Sequence, residues 1–385
     1  MGLWARWRTR GRSFIATPRA ASRSGWPLWR KCCVCVLERT RSPACLLTVG
    51  VVLLLGVCIH LLPEQIAAQP SPTEEVSEVT LLIWNHPFGE YRQLPDCLEL
   101  LHIKGCTLTD DARAYPYADA VLVHHREVAT GETDLPAAPR PPQQKWIWMN
   151  YESPTHTYGL WQLEGVFNLT MSYRTDSDIF LPYGYLAPRG LQVPNAQPLS
   201  RSLRTTRSGR GLVSWVISNW SETHARVAFY YKLRRYIPID VFGSAGRPLP
   251  KGSNSVVQLL RGYMFYLAME NSQHTDYITE KLWNAVAAGT VPVVLGPSRK
   301  NYERFLPPHA FIHVEDFPTA RHLARYLLML SRNPLQMKRH LSWRGDYSLH
   351  QPTFWEEHYC TACRAVRKRR GRTDEVADLT EWFLS

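Results

Sequence analysis

The chain has 385 residues, of which 45% are hydrophobic, and this length allows two domains of ordinary size plus flanking segments. The formal net charge of +12 is uneven, because residues 1–43 hold ten Lys or Arg and one acidic residue and so contribute +9. A basic arm can bind nucleic acid, but this one is short and lacks a folded module with stacking aromatic side chains. The composition therefore argues against a nucleic-acid-binding protein.

An apolar segment follows the basic arm directly. Residues 44–62 contain no Asp, Glu, Lys or Arg, and their length of 19 residues is close to what is needed to cross a bilayer. Basic residues flank the N-terminal side of this segment, so the positive-inside rule places the N-terminus in the cytosol. A cleaved signal peptide is the alternative, and the long basic leader argues against it. We predict a cytosolic tail at 1–43, a transmembrane signal-anchor at 44–62 and a stem at 63–78.

Four cysteines lie beyond the predicted stem: Cys97, Cys106, Cys360 and Cys363. An even number of cysteines in an oxidising lumen favours disulfides, although four cysteines can also bind zinc. Three disulfide pairings are possible, and spacing alone does not choose among them. Two glycosylation sequons, at Asn168 and Asn219, also support a lumenal body.

Short apolar runs indicate strands that alternate with helical or loop segments. They occupy residues 79–84, 120–124 and 145–150 in a first set, and 212–218, 238–242, 262–269, 291–295 and 311–314 in a second. Between the sets, residues 192–211 are rich in Ser, Arg, Pro and Gly, as an interdomain linker would be. The pattern predicts two α/β domains with mainly parallel sheets. We place the domains at 79–205 and 206–359, followed by a C-terminal tail at 360–385.

Two short motifs suggest metal sites, but each has a simpler explanation. Asp176-Ser-Asp178 superficially matches a metal-binding D-x-D motif, yet two acids at this spacing are common in loops, and we favour a role in a turn. His124 and His125 invite a zinc site, but adjacent side chains in a strand point to opposite faces. The glycine-rich phosphate-binding motifs G-x-x-x-x-G-K-[ST] and G-x-G-x-x-G do not occur in the sequence.

The most informative segment is residues 265–296, which predicts a strand, a polar loop, a helix and a second strand. Apolar residues recur at helical spacing from Ile278, and Gly289 fits a helix C-terminal cap. Glu280 and Lys281 therefore lie in the first turn of the helix, at the carboxyl edge of the sheet. Open parallel sheets bind their ligands at that edge.

Three parts of this segment resemble the donor-binding motif of the α-1,3-fucosyltransferases: Glu270-Asn-Ser, Tyr277-Ile-Thr-Glu-Lys281 and Gly289-x-Val-Pro-Val-Val-x-Gly296. The resemblance extends over roughly residues 79–385. It implies an α/β fold of the GT-B type, with two Rossmann-like domains that face each other across a cleft behind the transmembrane helix. It also implies an acceptor-binding first domain, a second domain that binds the donor substrate GDP-fucose, and no obligatory metal or other cofactor.

The resemblance assigns donor contacts to Tyr183, Ser218, Asn219, Arg226, Tyr266, Asn271, Tyr277, Glu280 and Lys281. Departure of GDP builds negative charge on the β-phosphate, and Lys281 and Arg226 are the cations expected to stabilise that charge. Glu280 can accept two hydrogen bonds from ribose hydroxyls, which is the usual task of an acid beside a nucleotide.

The segment Trp148-Met-Asn-Tyr-Glu-Ser-Pro-Thr-His-Thr157 resembles the first-domain motif of the family, whose Glu is the catalytic base. This places the role on Glu152, which follows the predicted strand at 145–150. A sugar hydroxyl is a poor nucleophile until its proton is removed, and one positioned carboxylate can remove it. Displacement with a single base inverts the anomeric centre, so β-linked GDP-fucose gives an α-linked product.

Two residues are assigned to the acceptor. Arg126 occupies the family position that tunes acceptor choice, and Arg there resembles the members that prefer type 2 chains, Galβ1-4GlcNAc. Glu90 stands where some members have a Gln that contacts the acceptor. Residues 240–249 most resemble the leukocyte-type members of the family, which fucosylate sialylated chains.

The resemblance also bears on the cysteines and the sequons. It favours the pairs Cys97 with Cys360 and Cys106 with Cys363, which would hold the end of the chain onto the first domain. It places Asn219 in the donor site, where a bulky glycan cannot fit, so Asn168 is the sequon expected to carry a glycan.

Together these features predict a single-pass type II protein of the Golgi membrane with a lumenal catalytic body. The predicted reaction makes Lewis x or sialyl Lewis x structures on the N-acetyllactosamine ends of glycoproteins and glycolipids. One alternative is an α-1,4-fucosyltransferase for type 1 chains, against which Arg126 argues. A catalytically silent membrane lectin is another, and the presence of Glu152, Arg226, Glu280 and Lys281 argues against it.

Overall fold

The computed structural model describes residues 77–199, 209–252 and 255–385. The predicted cytosolic tail, the transmembrane segment and most of the stem lie outside these residues, as does the predicted domain boundary at residue 205. In the described part of the chain, no helix is both long enough and apolar enough to cross a membrane.

The strands of the described residues are β1 (Val79–Ile83), β2 (Cys106–Thr109), β3 (Ala120–His124), β4 (Lys145–Met149), β5 (Leu169–Ser172), β6 (Ile179–Phe180), β7 (Tyr185–Pro188), β8 (Gln197–Pro198), β9 (Gly211–Val216), β10 (Asp240–Phe242), β11 (Tyr263–Met269), β12 (Val291–Leu295), β13 (Ile312–His313) and β14 (Tyr347–His350). The α-helices are α1 (Cys97–Leu101), α2 (His125–Ala129), α3 (Ala225–Leu233), α4 (Ser255–Leu260), α5 (Glu280–Ala288), α6 (Arg299–Tyr302), α7 (Ala320–Ser331), α8 (Pro334–Arg339), α9 (Glu356–Lys368) and α10 (Leu379–Leu384). Short 3-10 helices cover Pro87–Gly89, Ala112–Ala114, Pro154–His156, Leu160–Leu163, Val314–Asp316 and Ser342–Asp346.

The first six strands form a parallel sheet in the order β2-β1-β3-β4-β5-β6. β3, β4 and β5 are buried at every position, because both faces of a parallel sheet are usually covered. The register pairs Leu122 with Ile147 and Ile147 with Leu169. The strands predicted at 79–84, 120–124 and 145–150 are all present.

A second parallel sheet has the order β10-β9-β11-β12-β13, and its strands lie at the five positions predicted for the second set. Alternate residues of β11 face opposite sides of this sheet: Phe265 packs in one hydrophobic core and Tyr266 in another. Helix α5 ends as predicted at Gly289, whose φ of 74° lies in the left-handed region that favours glycine. The expected architecture of two parallel α/β sheets is therefore confirmed.

Both sheets have the same winding. In each, the second strand along the chain lies on one side of the first strand and the third lies on the other side. The direction of winding reverses between β1 and β3 and again between β9 and β11. In open α/β sheets, ligands bind at the carboxyl ends of the strands beside such a reversal.

The end of the chain returns to the first sheet. Strand β14 pairs antiparallel with β7 and β8, and helix α9 then packs against β1, β2 and α1. Tyr359, Ala362, Cys363 and Val366 recur at helical spacing and are buried in the core of the first sheet. The predicted domain boundary at residue 359 does not fit this arrangement. Helix α9 continues across that position, and its apolar face packs against the first sheet.

Two disulfides fix this return. Cys97 is bonded to Cys360 and Cys106 to Cys363, with sequence separations of 263 and 257 residues. This is the pairing that the family resemblance favoured. Both bonds join α9 to the elements that flank β1, so the last segment of the chain is held on the first half of the molecule.

Candidate active site

A cavity of about 630 Å³ lies where the carboxyl ends of the two parallel sheets approach each other. The first half contributes Arg126, Glu152 and Tyr183 to its lining, and the second half contributes Asn219, Asn271 and Glu280. These six residues follow four different strands, lie in the loop between β6 and β7 or begin helix α5, and the structure brings them together.

Glu152 lies between the two halves of the molecule, three residues after β4 ends. Its Oε1 accepts a hydrogen bond of 2.9 Å from the Tyr277 phenol and one of 2.8 Å from the backbone N–H of Ser153. Nδ2 of Asn271 lies 3.5 Å from the same oxygen. Oε2 accepts no hydrogen bond from the described residues, so one carboxylate oxygen is held and the other is available to a ligand.

A buried carboxylate anchors Lys281. Glu270, at the end of β11, is 0% exposed and accepts hydrogen bonds from Lys281 Nζ at 3.0 Å and from the backbone N–H of Thr279 at 2.9 Å. Burial by itself lowers the pKa of Lys281, but the carboxylates of Glu270 and Glu280 outweigh burial and raise that pKa above its usual value. Lys281 therefore remains a cation; it does not line the cavity itself but lies 3.4 Å from Glu280, which does.

Glu280 begins helix α5 and points a half-exposed carboxylate toward the cavity. Desolvation in the cavity raises its pKa, but the Lys281 ammonium 3.4 Å away and the Thr279 hydroxyl more than offset this, so the pKa of Glu280 is lower than usual. At neutral pH Glu280 is thus an ionised hydrogen-bond acceptor, as recognition of hydroxyl groups requires.

Arg226 is the second cation of the site. It lies in the first turn of α3, is 4% exposed, and donates from one guanidinium nitrogen to the backbone carbonyl of Asn219 at 2.6 Å. Its Nε has no hydrogen-bond partner within the described ranges. Burial lowers the pKa of Arg226, and Glu270 opposes that effect. Arg226 does not itself line the cavity, but its guanidinium places positive charge near the carboxylates of Glu270 and Glu280.

The three predicted tyrosines have different environments. Tyr277 reaches Glu152, and burial raises the pKa of its phenol well above the usual value. Tyr183 lines the cavity and donates to the backbone carbonyl of Tyr151. Tyr266 is only 2% exposed because it lies in β11 and packs in the core beneath the site. Ser218 is exposed at the end of β9 but does not line the cavity.

Of the two residues that the resemblance assigns to the acceptor, Arg126 lines the cavity, and its guanidinium lies 5.4 Å from the centre of the Phe88 ring. Glu90 does not line the cavity: its side chain is 67% exposed and pairs with Arg92 at 3.1 Å. Arg92 lines the cavity in its place and donates to the Phe354 carbonyl at 2.9 Å. Glu90 directly follows the short 3-10 helix at residues 87–89.

Sequence reasoning gave no role to several residues of the site. Glu270 belongs to the Glu270-Asn-Ser motif but was given no role. An acid directly after a buried strand indicates that a nearby cation neutralises it, and this pattern could have predicted the pairing with Lys281. Phe354 and Trp355 also line the cavity, but they enter it on the segment between β14 and α9, and no local pattern indicates that path.

The two acids of the Asp176-Ser-Asp178 motif, which superficially suggested a metal site, form ion pairs within the protein. Asp176 pairs with Arg174 at 2.8 Å, and Asp178 pairs with Arg369 at 3.0 Å and accepts from the Thr170 hydroxyl at 3.0 Å. These contacts agree with the favoured role in a turn. No group of three or more His, Cys, Asp or Glu side chains suited to hold a metal ion occurs among the described residues.

The sequons differ in exposure. Asn168 is only partly exposed. Its side-chain amide accepts a hydrogen bond from the backbone N–H of Trp146 at 2.8 Å and donates one to the Asp374 carbonyl at 2.9 Å. Asn219 is exposed and lines the cavity. A glycan on Asn219 would occupy the candidate site, whereas a glycan on Asn168 would lie outside it.

The geometry offers one half-fixed carboxylate and one ionised acid in the cavity wall, and two cations near Glu280 and Glu270. Such a set can remove a proton from a hydroxyl group and stabilise negative charge on a leaving group a short distance away. Aromatic and basic side chains of the first half of the molecule line much of the rest of the cavity.

Two family models match the chain. The model described as fucosyltransferase, N-terminal, matches residues 76–184, and the model described as glycosyltransferase family 10 (fucosyltransferase) C-term matches residues 206–382.

Curated relatives match over most of the chain. The protein named alpha-(1,3)-fucosyltransferase 4 from Bos taurus is 45% identical over 85% of this chain and 90% of its own length. The protein of that name from Homo sapiens is 42% identical over 95% of this chain and 74% of its own length. The Bos taurus protein named 4-galactosyl-N-acetylglucosaminide 3-alpha-L-fucosyltransferase 9 is 44% identical over 81% of this chain and 84% of its own length.

A crystal structure of an α1,3-fucosyltransferase superposes with a TM-score of 0.50 at 17% sequence identity, covering 80% of this chain and 93% of the solved chain. At that identity the likeness concerns the fold alone.

Proposed function

The chain belongs to glycosyltransferase family 10, the fucosyltransferases, and we propose that it transfers L-fucose from GDP-β-L-fucose in α-1,3 linkage to the GlcNAc of type 2 N-acetyllactosamine chains. The names of its relatives support the linkage, and one relative is named for galactosyl-N-acetylglucosaminide acceptors. The products would be Lewis x or sialyl Lewis x structures on glycoproteins and glycolipids.

One observation carries the proposal. Oε1 of Glu152 is held by Tyr277 and approached by Asn271, both from the loop before α5, while Oε2 accepts no hydrogen bond from the described residues. The proposed base is thereby tied to the elements that hold Glu280 and Lys281. A base fixed in this way can act on an acceptor hydroxyl that lies next to the donor sugar.

The proposed reaction is a single inverting displacement. Glu152 takes the proton from the 3-hydroxyl of GlcNAc as that oxygen forms a bond to C1 of fucose and the bond from C1 to the β-phosphate oxygen breaks. GDP departs with the bonding electron pair, and Lys281 and Arg226 stabilise the charge that develops on it. Glu280 accepts hydrogen bonds from the ribose. No obligatory cofactor is proposed.

The location of the protein is part of the proposal. We propose a single-pass type II protein of the Golgi membrane, with residues 1–43 in the cytosol and the catalytic body in the lumen. The apolar segment at 44–62 with its basic flank supports this topology, and so do the disulfides of the body, because disulfides persist in oxidising compartments.

A direct assay tests the function. The full-length protein in detergent would be incubated with GDP-fucose and with neutral type 2, α2,3-sialylated type 2 or type 1 acceptors, and the product linkage determined by NMR. An α-1,3 product on type 2 chains is expected. Transfer to type 1 chains alone would indicate an α-1,4-fucosyltransferase, and acceptor binding without any transfer would indicate a lectin.

A further inference from the structure

Asp276 is buried in the loop between β11 and α5, directly before Tyr277. Its side chain is only 1% exposed, and its φ of 60° lies in the left-handed region, which Asp and Asn tolerate better than most residues. Asp276 is not among the described residues that line the cavity, so it has no direct contact with a ligand there. Its hydrogen bonds instead join the two halves of the molecule.

One oxygen of the Asp276 carboxylate binds the loop that follows β5 in the first half. Oδ2 accepts hydrogen bonds from the Thr175 hydroxyl at 2.7 Å and from the Thr175 backbone N–H at 3.0 Å. β5 is the neighbour of β4, and the segment after β4 carries Glu152. Asp276 and Tyr277 thus bind two adjacent loops of the first sheet, one through Thr175 and the other through Glu152.

The other oxygen binds the second half of the molecule. Oδ1 of Asp276 accepts from Asn301 Nδ2 at 2.5 Å and from Arg304 Nη1 at 3.0 Å, and the Asp276 backbone N–H donates to Asn301 Oδ1 at 2.8 Å. Arg304 Nη2 also donates to the Thr175 hydroxyl at 2.6 Å, which closes the network. The carboxylate thus accepts four hydrogen bonds, which is about its full capacity.

This network fixes the backbone from which the Tyr277 side chain projects. A non-glycine residue in the left-handed region keeps that conformation only when its surroundings hold it there, and both the N–H and the carboxylate of Asp276 are held. The Tyr277 phenol then donates to Oε1 of Glu152 at 2.9 Å. Because a hydrogen bond weakens steeply as its angle departs from linear, a small change in the loop would weaken this bond.

We propose that Asp276 is a positioning residue for the reaction: it fastens the loop before α5 to both halves of the molecule and so holds the Tyr277 phenol on Oε1 of Glu152. The proposal rests on the proposed function, in which Glu152 removes the proton of the acceptor hydroxyl. It assigns control of the proposed base to a residue outside the cavity, so its loss should lower kcat and leave substrate binding intact.

Asp276→Asn tests this role with little change of shape. Asn tolerates the left-handed backbone, but its amide has one oxygen and cannot accept hydrogen bonds on both sides. We expect kcat to fall about tenfold, while KM for both substrates and GDP binding in calorimetry stay within about twofold of wild type. In the Tyr277→Phe background, the same substitution should lower kcat by less than about twofold, because the phenol through which Asp276 acts is absent.

Thr175→Val covers the case in which Asp276→Asn does not fold. Thr175 is exposed, and this substitution removes a hydroxyl that bonds to Asp276 and to Arg304. We expect kcat to fall about three- to tenfold in Thr175→Val and to stay near wild type in Thr175→Ser, which keeps the hydroxyl. Ser177→Ala is the matched control with an expected wild-type kcat, because its hydroxyl lies in the same loop but bonds to Ser172.

Two results would overturn the proposal. One is an equal fall in kcat when Asp276→Asn is made in the wild type and in Tyr277→Phe, which would indicate a general structural role. The other is a wild-type kcat in Asp276→Asn or in Thr175→Val.

If the wild-type protein transfers no fucose to any acceptor, the proposed function fails, and crystal structures then decide the positioning role. The Tyr277 phenol should lie within hydrogen-bond distance of Glu152 in the wild type and away from it in Thr175→Val. A phenol in the same place in both structures would overturn the role of Asp276.

Discussion

Tyr277 donates a hydrogen bond of 2.9 Å to Oε1 of Glu152 across a sequence separation of 125 residues. Tyr277 precedes helix α5 of the second half, and Glu152 follows β4 of the first sheet. Burial, together with the nearby Tyr183 phenol and Glu152 carboxylate, raises the pKa of Tyr277, so its phenol remains a donor at neutral pH. This bond links the proposed base of one half of the molecule to the proposed donor-binding loop of the other.

Tyr277→Phe should lower kcat by about 10- to 100-fold, because it removes a hydrogen bond to a charged group, which is typically worth about 1.5–3 kcal/mol. Tyr173→Phe is the matched control, since the Tyr173 phenol bonds to the backbone carbonyl of Glu152 at 3.3 Å and not to its carboxylate. Steady-state kinetics should show a much smaller effect for the control. Equal effects of the two substitutions would mean that the phenol does not act through the carboxylate.

Glu152→Gln should reduce turnover by about 10²–10⁴-fold, the usual contribution of a general base, while GDP binding survives. Turnover would be measured by product formation and GDP binding by calorimetry. Glu315→Gln is a suitable control, because that side chain is 72% exposed and does not line the cavity. Near-normal turnover in Glu152→Gln would remove Glu152 from the role of base.

Lys281→Ala and Arg226→Ala should each weaken the use of GDP-fucose, by roughly 10²–10³-fold in kcat/KM, because each removes a cation for the same developing charge. The double variant should lose less than the product of the two single effects, since both groups act on one diphosphate. Activity should largely persist in EDTA. Complete loss in EDTA that manganese restores would contradict the metal-independent mechanism and make Asp176 and Asp178 candidate ligands.

Asn168 should carry a glycan and Asn219 should not. A glycosylated amide keeps one N–H, so a glycan on Asn168 is compatible with the bond from its Nδ2 to the Asp374 carbonyl. Asn219 lines the cavity, where a glycan would block the donor. Site-resolved mass spectrometry of active enzyme would test both sites, and full occupancy of Asn219 would contradict the proposed position of the donor.

The stability of the catalytic body should fall between pH 7 and pH 5. Burial lowers the pKa of His125 to about 4, whereas an unfolded histidine has a pKa of about 6.5. The unfolded state therefore binds a proton more readily than the folded state between pH 6.5 and pH 4, so stability falls as the pH falls through this range. The loss of unfolding free energy at pH 5 is about 2 kcal/mol. Protonation would also convert Nδ1, which accepts from Trp148, into a donor.

Melting curves at several pH values check this expectation. His125→Asn should show a smaller loss of melting temperature between pH 7 and pH 5 than the wild type, even if it is less stable at pH 7. His102→Asn is the control, because His102 is exposed and its φ of 58° is one that Asn also tolerates. The same pH dependence in wild type and His125→Asn would show that other groups cause it.

Local sequence patterns determined much of the secondary structure of this protein. Runs of apolar residues located the strands of both parallel sheets, and the helical spacing after Ile278 with Gly289 as a cap located α5. These features depend on neighbours in the chain: burial sets the period of apolar residues, and a left-handed cap favours glycine. The placement of Glu152, Glu280 and Lys281 at carboxyl ends of strands followed from the same patterns.

The tertiary structure alone decided which of these groups meet. It joined Oε1 of Glu152 to Tyr277, buried Tyr266 and turned Glu90 away from the cavity. It also showed that His125 begins a helix and uses both of its ring nitrogens within the protein. Such contacts join residues far apart in the chain or depend on small rotations of a side chain. They depend on the path of the whole backbone, which cannot be predicted from the spacing of residues along one segment.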